Sequence, residues 1–528
     1  MRLKSVVVCV AVVVSGVVSA GWQPEEPAAA PAASDGHERA NDGASNKFSV
    51  THHTTTSGGE TFDYTVTTGR MVLPDYEGEP RADVFFIAYI RDRDANADAA
   101  SDNADAADRP ITFAYNGGPG SSSVWLHLGA LGPKRVDMGP EGFAPKPPYR
   151  LLDNEYGWLG FTDLVFIDPV GTGYSRPAEG ESKSQFHGLD EDISSVGDFI
   201  RLWTTRNERW RSPKFLAGES YGTTRNAGMA RYLQDTHGMF LSGIVMISAV
   251  LDFHTVRFND GNDAPYWLFL PTYAATAWYH GALDDDLQAT PLREFLDEVE
   301  AFAGNDYLVA LGKGAAIDAD ERAGIVRTLS RYTGLSEDYV DRADLRLNIS
   351  RFTEELLRDE GVIVGRLDSR IRARDADRNG TGPNFDPSME AIDGPYAALL
   401  NDYLRTELGY ETDHPYEILT GRVHPWSYDR FTNRYVNVAP RLRDAMLKNR
   451  NLRVLFASGY YDLATPYFAT DYTIDHLGID PDLRSNIRTE YYEAGHMMYI
   501  REVELARLHD HVASFYAETL TAPAAPQP

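Results

Sequence analysis

The segment Gly218-Glu219-Ser220-Tyr221-Gly222 constrains this chain more than any other. It follows a short apolar run, Lys214–Ala217, that reads as a buried strand, and precedes a helix-compatible stretch from Arg225 to Leu233. A strand that turns into a helix across one serine is sharply bent, and the flanking glycines relieve the crowding. The serine is then held exposed at the edge of a sheet. An ordinary glycine-rich turn that happens to contain a serine fits the same five residues, so other features have to decide.

The deciding feature is Tyr115-Asn116-Gly117-Gly118-Pro119-Gly120-Ser121-Ser122, directly after the strand-like run Ile111–Tyr115. Attack by a serine on a carbonyl builds negative charge on the oxygen, and backbone N–H groups must already point at it. A glycine-rich loop after an earlier strand supplies one donor, and the residue after the nucleophile supplies the other. Gly118 and Tyr221 are the expected pair. A serine also needs a base, and the base an orienting carboxylate. Run Leu452–Ala457 leads into Ser458-Gly-Tyr-Tyr-Asp462, and run Ile487–Tyr491 leads into Glu493-Ala-Gly-His496. Both therefore leave the same end of the sheet as Ser220. His476, His509, His511 and Asp471 lie in helix-like surroundings, which favours Asp462 and His496. The chain order Ser220, Asp462, His496 is that of the α/β-hydrolase fold.

The wider pattern agrees. Runs Val84–Ile90, Leu164–Ile167 and Gly243–Ile247 join those above, alternating with helical segments, which implies a mainly parallel sheet with helices on both faces. Leu505, Leu508, Val512 and Phe515 mark a closing helix. From Asp252 to Pro425 helical patterns and charges replace strands, so 46–251 and 426–521 read as two parts of one core and 252–425 as an inserted, mostly helical lid. A chain of 528 residues has room for such an insertion.

At the start, Arg2 and Lys4, the apolar run Val6–Val18 and Val18-Ser19-Ala20 read as an export signal over 1–20, followed by a disordered linker over 21–45. An Asp/Ala/Asn stretch over 92–108 reads as an extended loop and 522–528 as a frayed tail. The single cysteine, Cys9, lies in the signal, so the exported chain is expected to have neither a disulfide nor a cysteine nucleophile, pointing to a bacterial periplasm or exterior. No run is long enough for a membrane span, and a net charge of −28 argues against nucleic acid or an anionic membrane as partner.

In order, Asn116-Gly-Gly-Pro-Gly-Ser-Ser122, Asp168-Pro-Val-Gly-Thr-Gly-Tyr-Ser175, Gly218-Glu-Ser-Tyr-Gly222, the Asp462 segment and Gly495-His-Met497 resemble the serine carboxypeptidases, peptidase family S10. The resemblance implies a serine-type carboxypeptidase acting through an acyl-enzyme on peptides with a free C-terminus. It makes Ser220, Asp462 and His496 the triad, Gly118 and Tyr221 the oxyanion hole, and Asn116, the N–H of Gly117 and Glu219 the grip on the substrate's terminal carboxylate. Neither metal nor organic cofactor is implied. A glutamate beside a carboxylate must be protonated to bind it, which implies activity favouring acid pH. The other reading of Glu219 is a cap on the following helix.

The chain departs from the family in three places. Ala130 stands where a second glutamate usually precedes Leu-Gly-Pro, leaving the glutamate pair incomplete and an esterase or acyltransferase on the same triad open. Ser121 replaces a common cysteine, and Met497-Met-Tyr499 follows His496 in place of Met-Val-Pro. A catalytically silent binding protein would be signalled by a broken triad or glycine loop, and neither is broken.

Two further stretches carry double readings. Tyr266, Trp267, Phe269, Tyr273, Trp278 and Tyr279 fit lid core or substrate pocket. Asp375, Asp377, Asn379 and Asp386 have the spacing of a calcium loop but contain Pro383 and end on Asp, so a polar loop is the competing reading.

Overall fold

The structure, a computed structural model, describes residues 48–92, 109–377 and 379–523. The signal, the linker, nearly all of the 92–108 loop and the end of the tail lie outside the described residues. Ten strands form one sheet: β1 Phe48–Ser57, β2 Glu60–Pro74, β3 Pro80–Arg91, β4 Ile111–Tyr115, β5 Asp163–Ile167, β6 Arg176–Pro177, β7 Lys214–Glu219, β8 Gly243–Ile247, β9 Arg453–Gly459 and β10 Ile487–Tyr492. Their order is β1-β2-β3-β5-β4-β7-β8-β9-β10, with β6 on the edge of β3. From β5 to β10 every neighbouring pair is parallel, whereas β1, β2, β3 and β5 pair antiparallel in succession.

The parallel strands β4, β5, β7 and β8 are buried at every residue, as strands covered on both faces must be. Successive side chains go to opposite faces. Phe113, Leu216, Ile244 and Phe456 enter one hydrophobic core, while Ala114, Ala217, Val245 and Leu455 enter another. The main helices are α1 Leu189–Arg206, α2 Tyr221–His237, α3 Ala264–Tyr279, α4 Leu292–Phe302, α5 Ala319–Thr333, α6 Pro387–Thr406, α7 Ala439–Lys448, α8 Tyr467–Asp475 and α9 Glu502–Thr521. The first core is closed by α1, α2 and α7, the second by α6 and by α9 through Leu505, Leu508, Val512 and Phe515. The sequence reading had no β1 or β2, a long hairpin turned by Gly58-Gly59 that lengthens the sheet on its antiparallel side.

Helices α3, α4 and α5 build a third core of their own, joined by Tyr460, Tyr461 and Leu463 from the loop after β9. Trp267, Phe269 and Tyr273 are buried in it, with Tyr273 stacked on Phe352 at 4.2 Å. For these three rings the core reading is the one observed. Tyr279 is 38% exposed and packs on Tyr461 at 5.2 Å. In the Asp375–Asp386 segment the carboxylates are taken up by turns. Asp375 accepts Asn384 N and Asp377 N (2.9 and 3.0 Å), and Asp386 caps α6 through Ser388 N at 3.0 Å. No group of three or more metal-ligating side chains occurs among the described residues, and no described helix is long and apolar enough to cross a membrane.

Candidate active site

Ser220 sits between β7 and α2 with φ 60° and ψ −128°, a conformation L-residues rarely adopt. Both flanks show why glycine is needed. A Cβ on Gly218 would lie 2.6 Å from Gly222 O, and one on Gly222 would lie 3.0 Å from Tyr115 O. The strained residue is tied down by Ser220 N to Ile247 O (3.0 Å) and by Thr223 N and Oγ1, both donating to Ser220 O (2.9 and 2.7 Å).

The glycine-rich loop lies against this turn. A Cβ on Gly117 would stand 2.4 Å from Tyr221 N, so bare backbone meets bare backbone there. Tyr221 N–H belongs to the first turn of α2, whose N–H groups lack partners inside the helix and carry partial positive charge. Gly118 is exposed, with φ +103°. Behind the loop, Arg225 donates through Nη1 to Asn116 O (2.7 Å) and pairs with Asp192 (2.7 Å), both ions being buried. The motif at 168–175 is a second brace. Asp168 Oδ1 accepts Ser123 N and Oγ (2.9 and 2.8 Å), and Gly173 leaves the space into which the Asp168 carboxylate fits.

Asp462 is fully buried after β9. Its Oδ2 accepts His496 Nδ1 at 2.7 Å and Thr465 Oγ1 at 2.7 Å; its Oδ1 accepts the N–H groups of Ala464 and Thr465 (2.7 and 3.0 Å). With Nδ1 committed to Asp462, Nε2 of the ring is left for a reacting proton. Burial acts to lower the basicity of His496, but Asp462, assisted by Glu219, outweighs it and the net shift is upward. The backbone of His496 is pinned on both sides, by Ser248 Oγ to its carbonyl and by its own N–H to Leu367 O, each 2.6 Å.

Glu219 is buried and does not cap α2. Its Oε2 accepts the Tyr499 hydroxyl at 2.5 Å, its Oε1 lies 4.0 Å from His496 Nε2, and the Asn116 amide is a further partner. Burial pushes its carboxyl up to about 7, against the opposing pull of His496, Tyr499 and Asn116. A carboxyl kept neutral into the neutral range can donate a hydrogen bond to an anion, which an ionised one cannot. The competing groups lie elsewhere: His476 is exposed at the end of α8, and Asp471 accepts from Tyr491 at 2.8 Å.

Sequence reasoning missed four supports: Thr465, Ser248, Tyr499 and the segment 366–370. That segment hydrogen-bonds to both site loops. Leu463 N donates to Arg366 O (3.0 Å), Ser369 N to Tyr461 O (3.0 Å), and Gly495 N to Asp368 Oδ2 (3.3 Å). Of these only Thr465, three residues after Asp462 and bound to its carboxylate, has local spacing that could have announced it.

Residues 98–302 match the family model for serine carboxypeptidases, a stretch holding Asn116 to Gly118 and Glu219 to Tyr221 and ending before Asp462. The pheromone-processing carboxypeptidase kex1 of Talaromyces marneffei is 27% identical over 249 residues, 46% of this chain and 36% of that protein. Serine carboxypeptidase-like 45 of Arabidopsis thaliana is 29% identical over 185 residues, 34% of this chain and 35% of that one. The pheromone-processing carboxypeptidase of Yarrowia lipolytica is 32% identical over 151 residues, 28% and 22% of the two chains. The chain thus spans about a third or less of the length of these relatives. Over the matched stretch it is similar to the serine carboxypeptidases, and its fold is that of the α/β-hydrolases.

Proposed function

We propose that this protein is a serine-type carboxypeptidase that releases C-terminal residues from peptides. Ser220 Oγ attacks the last peptide carbonyl and passes its proton to His496 Nε2, while Asp462 holds the imidazole. The N–H groups of Gly118 and Tyr221 stabilise the oxyanion. The C–N bond breaks as His496 returns the proton to the leaving amine, and water, activated by the same histidine, hydrolyses the acyl-enzyme. Asn116, the Gly117 N–H and protonated Glu219 receive the terminal carboxylate of the substrate.

The observation that carries this reading is Glu219, a buried carboxyl next to the nucleophile and 4.0 Å from His496 Nε2. A hydrolase indifferent to the end of its substrate has no use for an acid there, whereas one that binds a carboxylate needs a proton donor at that place. We further propose that 252–425 covers the site, supported by the grip of 366–370 on both site loops, and that the export pattern at 1–20 sends a bacterial enzyme to the periplasm or exterior.

The test compares an N-blocked dipeptide with its C-terminal amide between pH 4 and 8, in wild type and in Ser220→Ala. Preferential release from the free acid below pH 7, abolished in the variant, is expected. Equal rates on acid and amide, or cleavage confined to esters, would move the function to an esterase or acyltransferase using the same serine.

A further inference from the structure

Glu219 and Tyr499 are 280 positions apart in the chain and meet inside the site. Tyr499 is 2% exposed, on the turn Met498–Ile500 just after His496. Its ring lies against the bare Cα of Gly129. A Cβ there would be 2.4 Å from Tyr499 Cε2, 2.8 Å from Cδ2 and 2.8 Å from the Tyr396 hydroxyl. The neighbouring Ala130 brings no acid. The ring therefore lies against a stretch with no ionisable side chain, and its hydroxyl reaches Glu219 Oε2 at 2.5 Å.

A carboxyl has two oxygens, and which of them carries the proton decides where it can donate. With Oε2 engaged as an acceptor, the proton of the neutral acid belongs on Oε1, the oxygen turned toward His496. A second carboxyl could trade a proton with Glu219. A phenol cannot do so here, because burial holds its ionisation well above the ordinary range, so it keeps its proton and donates it to Oε2.

We propose that Tyr499 is a positioning residue for recognition of the substrate's terminal carboxylate, its O–H binding Glu219 Oε2 so that the proton on Oε1 is aimed at the substrate. This rests on the carboxypeptidase reading above. A donated hydrogen bond favours the ionised over the neutral carboxyl, so Tyr499 also sets the pH above which the grip is lost. The other groups facing Glu219 are His496 and the Asn116 amide, which act in the same direction, Asp462, which opposes them, and the neutral Tyr396 hydroxyl.

The experiment is the pH profile of Tyr499→Phe on the free-acid peptide and its amide. Phenylalanine keeps the ring against Gly129 and deletes the hydroxyl, with its contacts to Glu219 and the Asn116 amide. The free-acid kcat/KM is expected to fall severalfold, mainly through KM, while its alkaline limb moves up by about one pH unit; the amide profile should keep its shape. Equal losses on both substrates with an unmoved limb would reduce Tyr499 to a scaffold residue and overturn the proposal. Infrared titration of the Glu219 carboxyl, assigned with Glu219→Gln, gives a readout independent of turnover: its midpoint should rise in Tyr499→Phe, and an unchanged midpoint overturns the proposal. A wild type that fails to distinguish acid from amide would sink the carboxypeptidase reading instead, and the infrared midpoint would still report on the Tyr499–Glu219 contact.

Discussion

Gly117→Ala adds one methyl group at the place where the glycine loop touches the nucleophile turn. The new Cβ would lie 2.4 Å from Tyr221 N, 2.8 Å from Glu219 O and 2.9 Å from Gly222 N. All three are backbone atoms of a turn that already holds Ser220 at φ 60°, so no side chain can swing aside. Restoring ordinary contact requires the loop and the turn to separate by about 1 Å. Such a shift displaces the N–H of Tyr221, Gly118 or both from the developing oxyanion. A misplacement of that size, or loss of one oxyanion donor, costs roughly 10²- to 10³-fold in kcat, while overpacking should cost about 1–3 kcal/mol of stability. The assay is single-turnover acylation by an activated ester, which needs no carboxylate grip, alongside thermal unfolding. Gly421→Ala is the control, because a Cβ there meets nothing within 4 Å. A folded Gly117→Ala protein that acylates within threefold of wild type would refute the claim that this contact sets the oxyanion geometry.

Other expectations follow from the same site. Glu219→Gln replaces a titrating acid by a permanent donor. Wild-type kcat/KM on a free-acid peptide should fall about tenfold per pH unit above 7 as Glu219 ionises, and in the variant that fall should vanish; a persistent fall would assign it to another group. On the amide, wild-type activity should rise as His496 loses its proton and then hold level, since that substrate makes no demand on Glu219; an alkaline fall shared with the acid would contradict this. Arg225→Met strands the buried Asp192 carboxylate and removes a donor from Asn116 O. Urea unfolding should show a loss of about 3–5 kcal/mol, and a cost under 1 kcal/mol would show that the pair is dispensable.

How far the sequence reaches is clearest from residues that do similar work. The places of Ser220, Gly118, Tyr221, Asp462 and His496 in turns that follow strands were legible, because there a few adjacent residues must solve a local steric or electrostatic problem. Glycine spacing records that problem in one dimension. The inner strands of the parallel half were legible because they are apolar on both faces, whereas β10 at the edge carries Arg488, Thr489 and Glu490. In the β1–β2 hairpin, β1 escaped because it is largely threonine and histidine, whereas β2 does carry an apolar alternation, Phe62, Tyr64 and Val66, that was passed over, and Gly58-Gly59 marks the turn.

Tertiary structure alone decided what supports those residues. Tyr499 reaches Glu219 across 280 positions, Asp368 reaches Gly495 across 127, and Ser248 reaches the His496 carbonyl across 248. A hydroxyl or carboxylate that satisfies a buried group so far away leaves no periodicity and no spacing behind, because its only requirement is position in space. Spacing and hydrophobic pattern were enough to read the parallel part of the sheet and the turns that follow its strands. That Tyr499 holds the buried acid, and that 366–370 grips the loops of Asp462 and His496, came from the fold, since hydrogen bonds of that kind exist only once the chain has brought the partners together.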